Sequence, residues 1–442
     1  MMSKLLSALL NQIVKNGTLD LLPAGETRWL RFGDGGMPRV RVRITDRWTQ
    51  LKLLIDPEVE FGEAFMDGRI IFDEGTVYDF LQLVLFRHNQ IAAAWKPAKW
   101  LLKLRNLLRV FGSANVIGLA GRRVRQHYDL SDAMFDLFLD SDRQYSCAYF
   151  TSPHGDIERA QRAKKRHLAA KLLMRPGLKL LDIGSGWGGL GIEMARRGAK
   201  VTGVTLSVGQ HAVSNQRARD AGLAGQADFQ LRDYRLIDDT FDRIVSVGML
   251  EHVGAKSFDE YFAKIAGMLR ENGVAVVHAI GRADGPGITN PWITKHIFPG
   301  GYIPALSEIF AAIERSGLYV TDTETLRIHY ADTLRAWRER FMARRAEAVA
   351  LYDERFARMW EFYLASCEAC FRWDGLFVFQ IQLAHQLDAV PVTRDYMFDA
   401  ERAMTEAEEK GRCDGIESSR PRELKAVAKS DLSVTADVKQ AG

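Results

Sequence analysis

LKLLDIGSGWGG, residues 178–189, is the stretch of the chain that decides its fold. The apolar run 178–183 predicts a buried strand, the glycines after it predict an abrupt turn, and a helical pattern continues to residue 197. After Gly198, residues 199–205 predict a second strand, which completes a β-α-β unit. Glycines let the backbone approach a ligand closely, and the helix N-terminus presents unpaired N–H groups to it. The pattern predicts a Rossmann-like α/β fold, a doubly wound sheet that binds a nucleotide-type ligand.

The glycine pattern alone does not identify that ligand. Gly184, Gly186 and Gly189 satisfy G-x-G-x-x-G, which is weakly specific on its own. A site for NAD also places Asp or Glu at the end of the second strand, where residues 204–207 read VTLS and contain no acid. An NAD(P)-dependent oxidoreductase is therefore the less favoured alternative. Asp182 instead places a carboxylate beside the glycine loop, where it can pair with a cationic group of a ligand or bond the backbone of the loop.

The composition is that of a globular protein. The 442 residues are 47% hydrophobic and 26% charged, which excludes a disordered or collagenous chain. The net charge of +4 is too small to indicate a nucleic-acid-binding protein. Four cysteines are too few for a disulfide framework, and so low a number is typical of proteins in a reducing cytoplasm. Cys367 and Cys370 have C-x-x-C spacing, but the sequence contains no second such pair to complete a metal site. No apolar run approaches the roughly 18 residues that cross a bilayer, so any membrane contact is expected to be peripheral.

The length predicts more than one domain. Residues 1–95 are expected to form a small accessory domain, in which RVRVRI (39–44) has the period of a half-buried strand. Residues 96–126 are rich in Lys and Arg, contain no Asp or Glu and carry apolar residues at helical spacing. This linker is either a basic amphipathic helix that faces a membrane or a helix that packs on the next domain. Residues 127–398 form the predicted catalytic domain, and residues 399–442 are expected to be a charged, disordered tail.

LDIGSGWGG resembles the first motif of the class I S-adenosylmethionine (SAM) methyltransferases. Other segments resemble one branch of them, the cyclopropane fatty acid synthases. The matching segments are QHYDLSDAMFDLFLD (126–140), YSCAYF (145–150), VTLSVGQ (204–210), DYR (233–235), GMLEHVG (248–254), VVHAI (276–280), IFPGGYIP (297–304) and HYADTLRAW (329–337). They occur in one order over roughly residues 120–390, and the co-linear set is far more specific than any one segment.

The resemblance implies that SAM is the cofactor. The residues implied to contact it are Tyr145, Ser146, Gly184, Gly186, Thr205, Leu206, Gln210, Asp233 and Tyr234, to which the position of Asp182 adds a carboxylate. Among them, Thr205, Leu206 and Gln210 are implied to hold the ribose and neighbouring groups. Two alternatives stay open, because Ser207 and Gln210 have the spacing of a helix capping box and Tyr234 can be a core residue.

The resemblance also implies a bound bicarbonate that acts as general base. The residues implied to hold it are Cys147, Glu251, His278, Ile280 and Tyr330. The backbone N–H groups at Cys147 and Ile280, the Tyr330 hydroxyl and the His278 ring are the expected donors to this small anion. Glu251 is expected either to accept the bicarbonate O–H or to act through His278 by fixing its tautomer. Taken singly, His278 is also typical of a core histidine, and nothing near Cys147 in sequence would activate it as a nucleophile.

The implied reaction determines the character of the site. Methyl transfer to an isolated double bond develops positive charge on the lipid, so a dry, aromatic site is expected, and ring closure then needs a base. The implied substrate is the acyl chain of an unsaturated phospholipid, which needs an apolar tunnel. Candidate tunnel residues, most of them expected to be plain core, are Trp292, Ile293, Ile297, Phe298, Tyr302, Trp337, Phe341, Phe356, Trp360 and Phe371.

A cyclopropane fatty acid synthase is therefore the predicted function, with no nucleic acid as partner. A SAM-dependent lipid methyltransferase that leaves a methyl branch is the nearer alternative, and a noncatalytic lipid-binding protein is another. The resemblance further implies a homodimer. The basic segment 96–126 indicates peripheral contact with the anionic inner surface of the cell membrane, from a cytoplasmic location.

Overall fold

Residues 2–86 and 130–411 are described by the computed structural model of the chain. They form two β-sheets, one of four strands and one of seven. Within these ranges, every helix is too short or too polar to span a bilayer. The predicted basic linker 96–126 lies outside the described residues.

The N-terminal unit, residues 2–86, builds the smaller sheet. Its elements are α1 (Met2–Ile13), β1 (Thr18–Leu22), β2 (Leu30–Gly33), β3 (Arg39–Ile44), α2 (Arg47–Ile55), α3 (Pro57–Met66), β4 (Ile70–Glu74) and α4 (Val77–Leu85). The strand order is β2-β1-β3-β4, in which β1 and β3 are parallel and the outer pairs are antiparallel. Along β3 the apolar residues are buried and the arginines are exposed or half-buried, which confirms the predicted alternation.

The C-terminal unit, residues 130–411, builds the larger sheet. Its strands are β5 (Lys179–Ile183), β6 (Lys200–Thr205), β7 (Ala227–Leu231), β8 (Phe241–Val247), β9 (Leu269–Arg282), β10 (Tyr319–Thr325) and β11 (Leu376–Ala384). Its helices are α5 (Asp132–Phe135), α6 (Ile157–Lys171), α7 (Gly189–Arg196), α8 (Val208–Asp220), α9 (Phe258–Met268), α10 (Pro291–His296), α11 (Leu306–Ser316), α12 (His329–Ala343), α13 (Arg345–Leu351), α14 (Glu354–Trp373) and α15 (Asp395–Glu409).

The order of the larger sheet is β10-β11-β9-β8-β5-β6-β7. Strands β5 to β9 pair in parallel, whereas β11 pairs antiparallel with both β9 and β10. The predicted β-α-β unit is confirmed as β5, α7 and β6. Strands β6 and β7 follow on one side of β5, whereas β8 and β9 lie on its other side. The strand order therefore reverses between β5 and β8, and sheets of this kind bind ligands in the crevice at that point.

Helices α12 to α14 cover the sheet through an aromatic core that also includes residues of the N-terminal unit. Helices α3 and α4 pack on α14, where the rings of Phe65 and Phe362 lie 6.3 Å apart. Gly62 of α3 lies against Trp292 of α10, and a Cβ at Gly62 would come within 2.4 Å of the indole nitrogen. The N-terminal and C-terminal units therefore share one hydrophobic core.

The last helix differs from the sequence prediction. The predicted boundary of the disordered tail at 399 falls inside α15, which continues to Glu409. Glu401 of this helix lies 2.6 Å from Nδ1 of His167, and Glu408 pairs with Arg166. The charges that suggested a solvated tail thus meet partners on α6, which composition alone does not reveal. Residues 412–442 lie outside the described residues.

Candidate active site

A cleft opens at the carboxyl ends of β5, β6 and β8. It encloses about 1320 Å³ of space, part of it open to solvent. All the residues predicted to contact the cofactor line this cleft, namely Tyr145, Ser146, Asp182, Gly184, Gly186, Thr205, Leu206, Gln210, Asp233 and Tyr234. The tertiary structure therefore brings together segments that are distant in the sequence.

The glycine loop after β5 forms one wall of the cleft. The N–H groups of Gly184 and Ser185 both donate to Val204 O, at 2.9 and 3.0 Å, which ties the loop to the end of β6. Gly184 and Gly186 have positive φ angles of 80° and 54°. A Cβ at Gly186 would meet no atom within 4 Å, so the backbone there faces open space.

Asp182 presents a buried carboxylate to the cleft. It is 2% exposed, and its Oδ2 has no hydrogen-bond partner among the described residues. Burial raises the pKa of Asp182 to about 7, against an opposing effect of the Lys164 charge. In the described ranges no hydrogen bond joins this side chain to the loop backbone, so the alternative role of bracing the loop is not supported.

The end of β6 carries a small hydrogen-bonded turn. The Ser207 hydroxyl caps α8 by accepting from Gln210 N–H at 3.3 Å, as the capping spacing suggests. The side chain of Gln210, however, accepts from the Thr205 hydroxyl at 3.1 Å and does not return to Ser207. This leaves Thr205 and Gln210 joined to each other along the wall of the cleft.

Asp233 and Tyr234 lie at the far end of the cleft, after β7. The carboxylate of Asp233 is engaged by the guanidinium of Arg235, with Nη2 and Oδ2 2.7 Å apart. Tyr234 packs its ring edge-on against Tyr261 at 5.6 Å, and burial raises its pKa. Tyr234 therefore has a packing role as well as a place in the cleft wall.

Lys164 is a cleft residue that the sequence analysis missed. It is fully buried, and its Nζ donates to Gln144 Oε1 and to Ser146 Oγ, both at 2.8 Å. Burial lowers its pKa to about 8, against an opposing effect of Asp140. The available signal was its position on the buried face of α6, in helical register with Ala160, Gln161 and Leu168, where a lysine is rare unless it is paired.

Glu251 follows β8 in a short 3₁₀ turn beside the cleft. Its Oε1 accepts from Ile280 N–H at 2.6 Å, and its Oε2 is buried with no partner among the described residues. Burial raises the pKa of Glu251 to about 7, and the bond from Ile280 opposes this. The Ile280 N–H is thus already used by Glu251, which corrects the expectation that it is free to donate to an anion.

Cys147 and Tyr330 lie in the interior near Glu251. Burial raises the pKa of Tyr330 strongly, and Cys147 and Glu251 are among the neighbouring groups that add to this effect. The Cys147 thiol is 1% exposed, its Sγ lies 3.3 Å from Ala148 O, and burial raises its pKa as well. A protonated, buried thiol agrees with the prediction that Cys147 is not a nucleophile.

His278 contacts Gln380, not Glu251. Its Nδ1 lies 3.1 Å from Gln380 Nε2, and burial lowers its pKa to about 3. Across the described ranges no hydrogen bond joins Glu251 to His278, so the proposal that Glu251 sets the tautomer of this histidine is not supported.

A tyrosine pair that sequence reasoning also missed connects the cleft with the helical cover. The hydroxyls of Tyr145 and Tyr363 are 2.8 Å apart, and Tyr363 belongs to α14. No local signal distinguishes Tyr363 from the other aromatic residues of that helix.

The predicted tunnel residues lie almost entirely in the aromatic core. Tyr302 is the exception, because it belongs to the core beneath α9 and α11 and donates its hydroxyl to Glu308. Cys367 of α14 packs against the aromatic core, and burial raises the pKa of both the Cys367 and the Cys370 thiol. No group of metal-binding side chains occurs within the described ranges, these cysteines included.

Comparison with known proteins identifies the family. The family model described as mycolic acid cyclopropane synthetase matches residues 119–381. The chain is 42% identical over 341 residues to the tuberculostearic acid methyltransferase UfaA1 of Mycobacterium tuberculosis, which covers 74% of this chain and 79% of the relative. It is 35% identical over 336 residues to the cyclopropane-fatty-acyl-phospholipid synthase of Escherichia coli K12, which covers 75% of this chain and 84% of the relative.

The chain belongs to the mycolic acid cyclopropane synthetase family. Among solved structures, the mycolic acid cyclopropane synthase CmaA1 complexed with SAH and CTAB matches with a TM-score of 0.56 at 31% identity, over 60% of this chain and 97% of CmaA1. The predicted resemblance and class I methyltransferase fold are confirmed. This family member is a SAM-dependent enzyme, in a family whose members include cyclopropane synthases and fatty acid methyltransferases.

Proposed function

We propose that this enzyme converts the cis double bond of an unsaturated phospholipid acyl chain into a cyclopropane ring, with SAM as the source of the added carbon and bound bicarbonate as the base. The observation that carries the proposal is the buried Oε2 of Glu251, which has no partner among the described residues. An unpaired buried acceptor is costly, so it marks a place where a polar group of a ligand is expected.

The cleft fits SAM through its charges and its open loop. When bound, SAM supplies an electrophilic methyl group on a sulfonium. The buried carboxylate of Asp182 can pair with the ammonium group of SAM. Because Ser146 Oγ accepts from Lys164, its own proton is available to the carboxylate of SAM. The open space at Gly186 allows the ligand to approach the loop backbone.

The predicted catalytic residues fit a small anion that carries a proton. Among the described residues no hydrogen bond is made by the backbone N–H of Cys147, the hydroxyl of Tyr330 or Nε2 of His278. These groups can therefore donate to an anion, while Glu251 Oε2 can accept its O–H. When bound, bicarbonate supplies the base that ring closure requires.

Aromatic rings surround this polar set and suit a reaction in which the lipid becomes cationic. The Tyr330 ring lies 5.9 Å from Trp337 and 4.6 Å from Phe371, and the Tyr145 ring lies 5.3 Å from Trp337. Ring faces attract a cation, and their burial excludes the water that would capture it. The aromatic core thus supports a long apolar chain as substrate.

A methyl-branched product is the second candidate, favoured by the 42% identity to a relative named as a tuberculostearic acid methyltransferase. Both reactions begin with methyl transfer to a double bond and differ in the fate of the cationic chain. We favour ring closure because the chain carries both the donors and the acceptor that would hold a base.

Lipid mass spectrometry of cells that express the chain tests the proposal. The expected result is the gain of one CH₂ on monounsaturated acyl chains, with fragmentation that shows a ring and not a branch. Glu251→Gln and His278→Ala should abolish ring formation while calorimetric titration still detects SAM binding. Glu314→Gln changes an exposed glutamate of α11 and should keep full activity. Near-normal ring formation by Glu251→Gln would contradict the assignment of the base site.

The role of bicarbonate has its own test. Turnover measured in carbonate-depleted buffer should fall and should recover when bicarbonate is restored. Turnover that is unaffected by depletion would exclude bicarbonate as the base without affecting the methyl-transfer step.

Homodimer formation and peripheral docking on the anionic inner surface of the membrane are also part of the proposal. They rest on the family resemblance and on the basic segment 96–126. Analytical ultracentrifugation tests the dimer. Co-sedimentation with anionic vesicles, weakened by added salt, tests the docking.

A further inference from the structure

His278 and Gln380 form a buried pair on neighbouring strands of the larger sheet. They lie opposite each other in the register of β9 and β11, and Gln380 Nε2 is 3.1 Å from His278 Nδ1. Gln380 is fully buried and His278 is 2% exposed. The pair therefore has a fixed geometry that water does not loosen.

The chemistry of the amide decides which ring nitrogen carries the proton. An amide NH₂ group only donates, so Nδ1 accepts and the single proton of a neutral imidazole lies on Nε2. The ring stays neutral because burial lowers the pKa of His278 to about 3, with Lys164, Lys171 and His167 lowering it further and Glu324 opposing them.

The opposite orientation of the amide is less favourable. It would place Oε1 against Nδ1 and leave both N–H groups of Gln380 without acceptors in the interior. The observed orientation pairs one N–H of this amide with Nδ1 and leaves its Oε1 and its second N–H unpaired among the described residues. The two orientations therefore differ by one unpaired acceptor against one unpaired donor, and an orphaned buried N–H group is rarer than an under-satisfied carbonyl oxygen.

We propose that Gln380 is a positioning residue that holds His278 as the neutral tautomer protonated on Nε2. His278 is then a hydrogen-bond donor to the anion of the site, and it is not the group that removes a proton from the lipid. The identity of that anion rests on the proposed function. The tautomer is a property of the protein itself and is measurable without substrate.

Nuclear magnetic resonance of the full chain labelled with ¹⁵N-histidine reads the tautomer directly, because protonated and unprotonated ring nitrogens resonate far apart. The His278 signals are those that disappear in His278→Ala. In the wild type we expect the proton on Nε2 near neutral pH. A proton on Nδ1 in the wild type would overturn the inference, whatever the variants do.

Gln380→Glu replaces the donor with an isosteric group that, when ionised, only accepts. We expect it to move the His278 proton to Nδ1 and to lower kcat on the order of 10- to 100-fold, the range typical of residues that orient a functional histidine. SAM affinity by titration should be unchanged, because neither residue lines the cleft. An unchanged His278 spectrum or an unchanged kcat would contradict the proposal.

Gln382→Met is the matched control. Gln382 lies two residues further along the same face of β11, and its amide donates to Lys171 O and to the Tyr396 hydroxyl. This variant should keep the His278 spectrum and kcat of the wild type even if its melting temperature falls. A loss of the Nε2 tautomer in Gln382→Met would show that general packing, and not Gln380, holds the ring. A wild-type enzyme with the expected tautomer that makes only branched lipids would support the inference and refute the ring-closing function.

Discussion

Asp182 and Glu251 are two buried acids of the site whose protonation depends on what is bound. Burial raises the pKa of each to about 7. Without ligands, both are therefore partly protonated near neutral pH. A bound partner that stabilises the ionised carboxylate, such as the ammonium group of SAM at Asp182, should release a proton. Ligand binding is thus expected to depend on pH through these two residues.

Glu251→Gln should change the pH dependence of stability. The folded-state pKa of Glu251 lies above its ordinary value of 4.5, so its contribution to stability is fully present below about pH 4.5 and is lost as the pH rises through about 7. The amide side chain introduced by Glu251→Gln does not titrate, so the variant does not lose this stability as the pH rises. The free energy of unfolding of Glu251→Gln, relative to wild type, should therefore increase by on the order of 1–3 kcal/mol from about pH 5 to pH 8.

Chemical denaturation at the two pH values measures this difference. Glu314→Gln, on the exposed face of α11, should show little change with pH relative to wild type. A constant difference between Glu251→Gln and wild type would mean that the Glu251 carboxyl is not buried as described.

The glycine loop is the element whose backbone we propose that the cofactor approaches, and a matched pair of glycines tests this. Gly186 in the loop and Gly177 before β5 both have positive φ, of 54° and 86°, and a Cβ at either meets no atom within 4 Å. Each substitution by Ala should cost about 1–2 kcal/mol of stability, because a left-handed conformation is strained in a residue with a Cβ. Gly186→Ala should in addition weaken SAM binding severalfold in calorimetric titration, whereas equal SAM affinity in both variants would argue against close approach at Gly186.

Helix α15 is held by a buried histidine. His167 lies between Glu401 of α15 and Glu324 of β10, at 2.6 and 2.7 Å, and Lys171 lies 2.5 Å from Glu324. Burial acts to lower the pKa of His167, but the bonds to the two carboxylates outweigh it and raise the pKa. The protonated ring donates to both carboxylates, so its stabilising effect is present below its ordinary pKa of 6.5 and is lost as the pH rises through the raised value.

Hydrogen-exchange protection of the α15 amides should therefore be greater near pH 6 than near pH 9. His167→Gln should remove this difference, because an amide has no titrating proton. Arg402→Gln breaks only an exposed pair with Asp399 within the helix and should keep the difference. Equal protection at both pH values in the wild type would show that the histidine does not control the docking of α15.

At the scale of the whole molecule, the N-terminal unit is part of the packing that surrounds the site. Glu63 of α3 pairs with Lys295 and His296 of α10, at 2.5 and 2.8 Å. Pro299 and Gly300, shortly after α10, line the cleft. Helix α3 of the N-terminal unit thus contacts the helix that precedes a segment of the cleft wall, a role that its sequence did not suggest.

Gly62→Ala should loosen this contact between the two units. The added Cβ would come within 2.4 Å of the Trp292 indole and 2.7 Å of the Phe362 ring. Such overpacking typically costs about 1–3 kcal/mol, so differential scanning calorimetry should show a lower melting temperature. Gly267→Ala, at an exposed position of α9 with no atom within 4 Å of its Cβ, should be neutral or stabilising. A Gly62→Ala protein that melts like the wild type would contradict the close contact.

Local patterns in the chain were sufficient for the β-α-β unit and for the alternation of β3. The family resemblance, together with the position of Asp182, named ten residues that line the cleft, but Lys164 was not among them. Local patterns failed where a charged residue finds a distant partner. Charged residues such as Glu401 and Glu408 led to the prediction of a disordered tail where the structure has α15. In the structure they pair with His167 and Arg166. Similarly, one of the two roles expected for Glu251 was to fix the tautomer of His278, whereas the fold gives it the N–H of Ile280.

The sequence by itself determined the fold class and the glycine loop, because these depend on residue types at short, regular spacing along the chain. It also indicated the family, through the resemblance of segments that occur in one order over most of the chain. Only the tertiary structure decided that Lys164 is buried beside Ser146, that Tyr363 meets Tyr145, and that Gln380 faces His278. These contacts join residues far apart in the chain. They form where packing removes water and leaves each polar group to find a partner, and spacing along the sequence does not specify which partner that is.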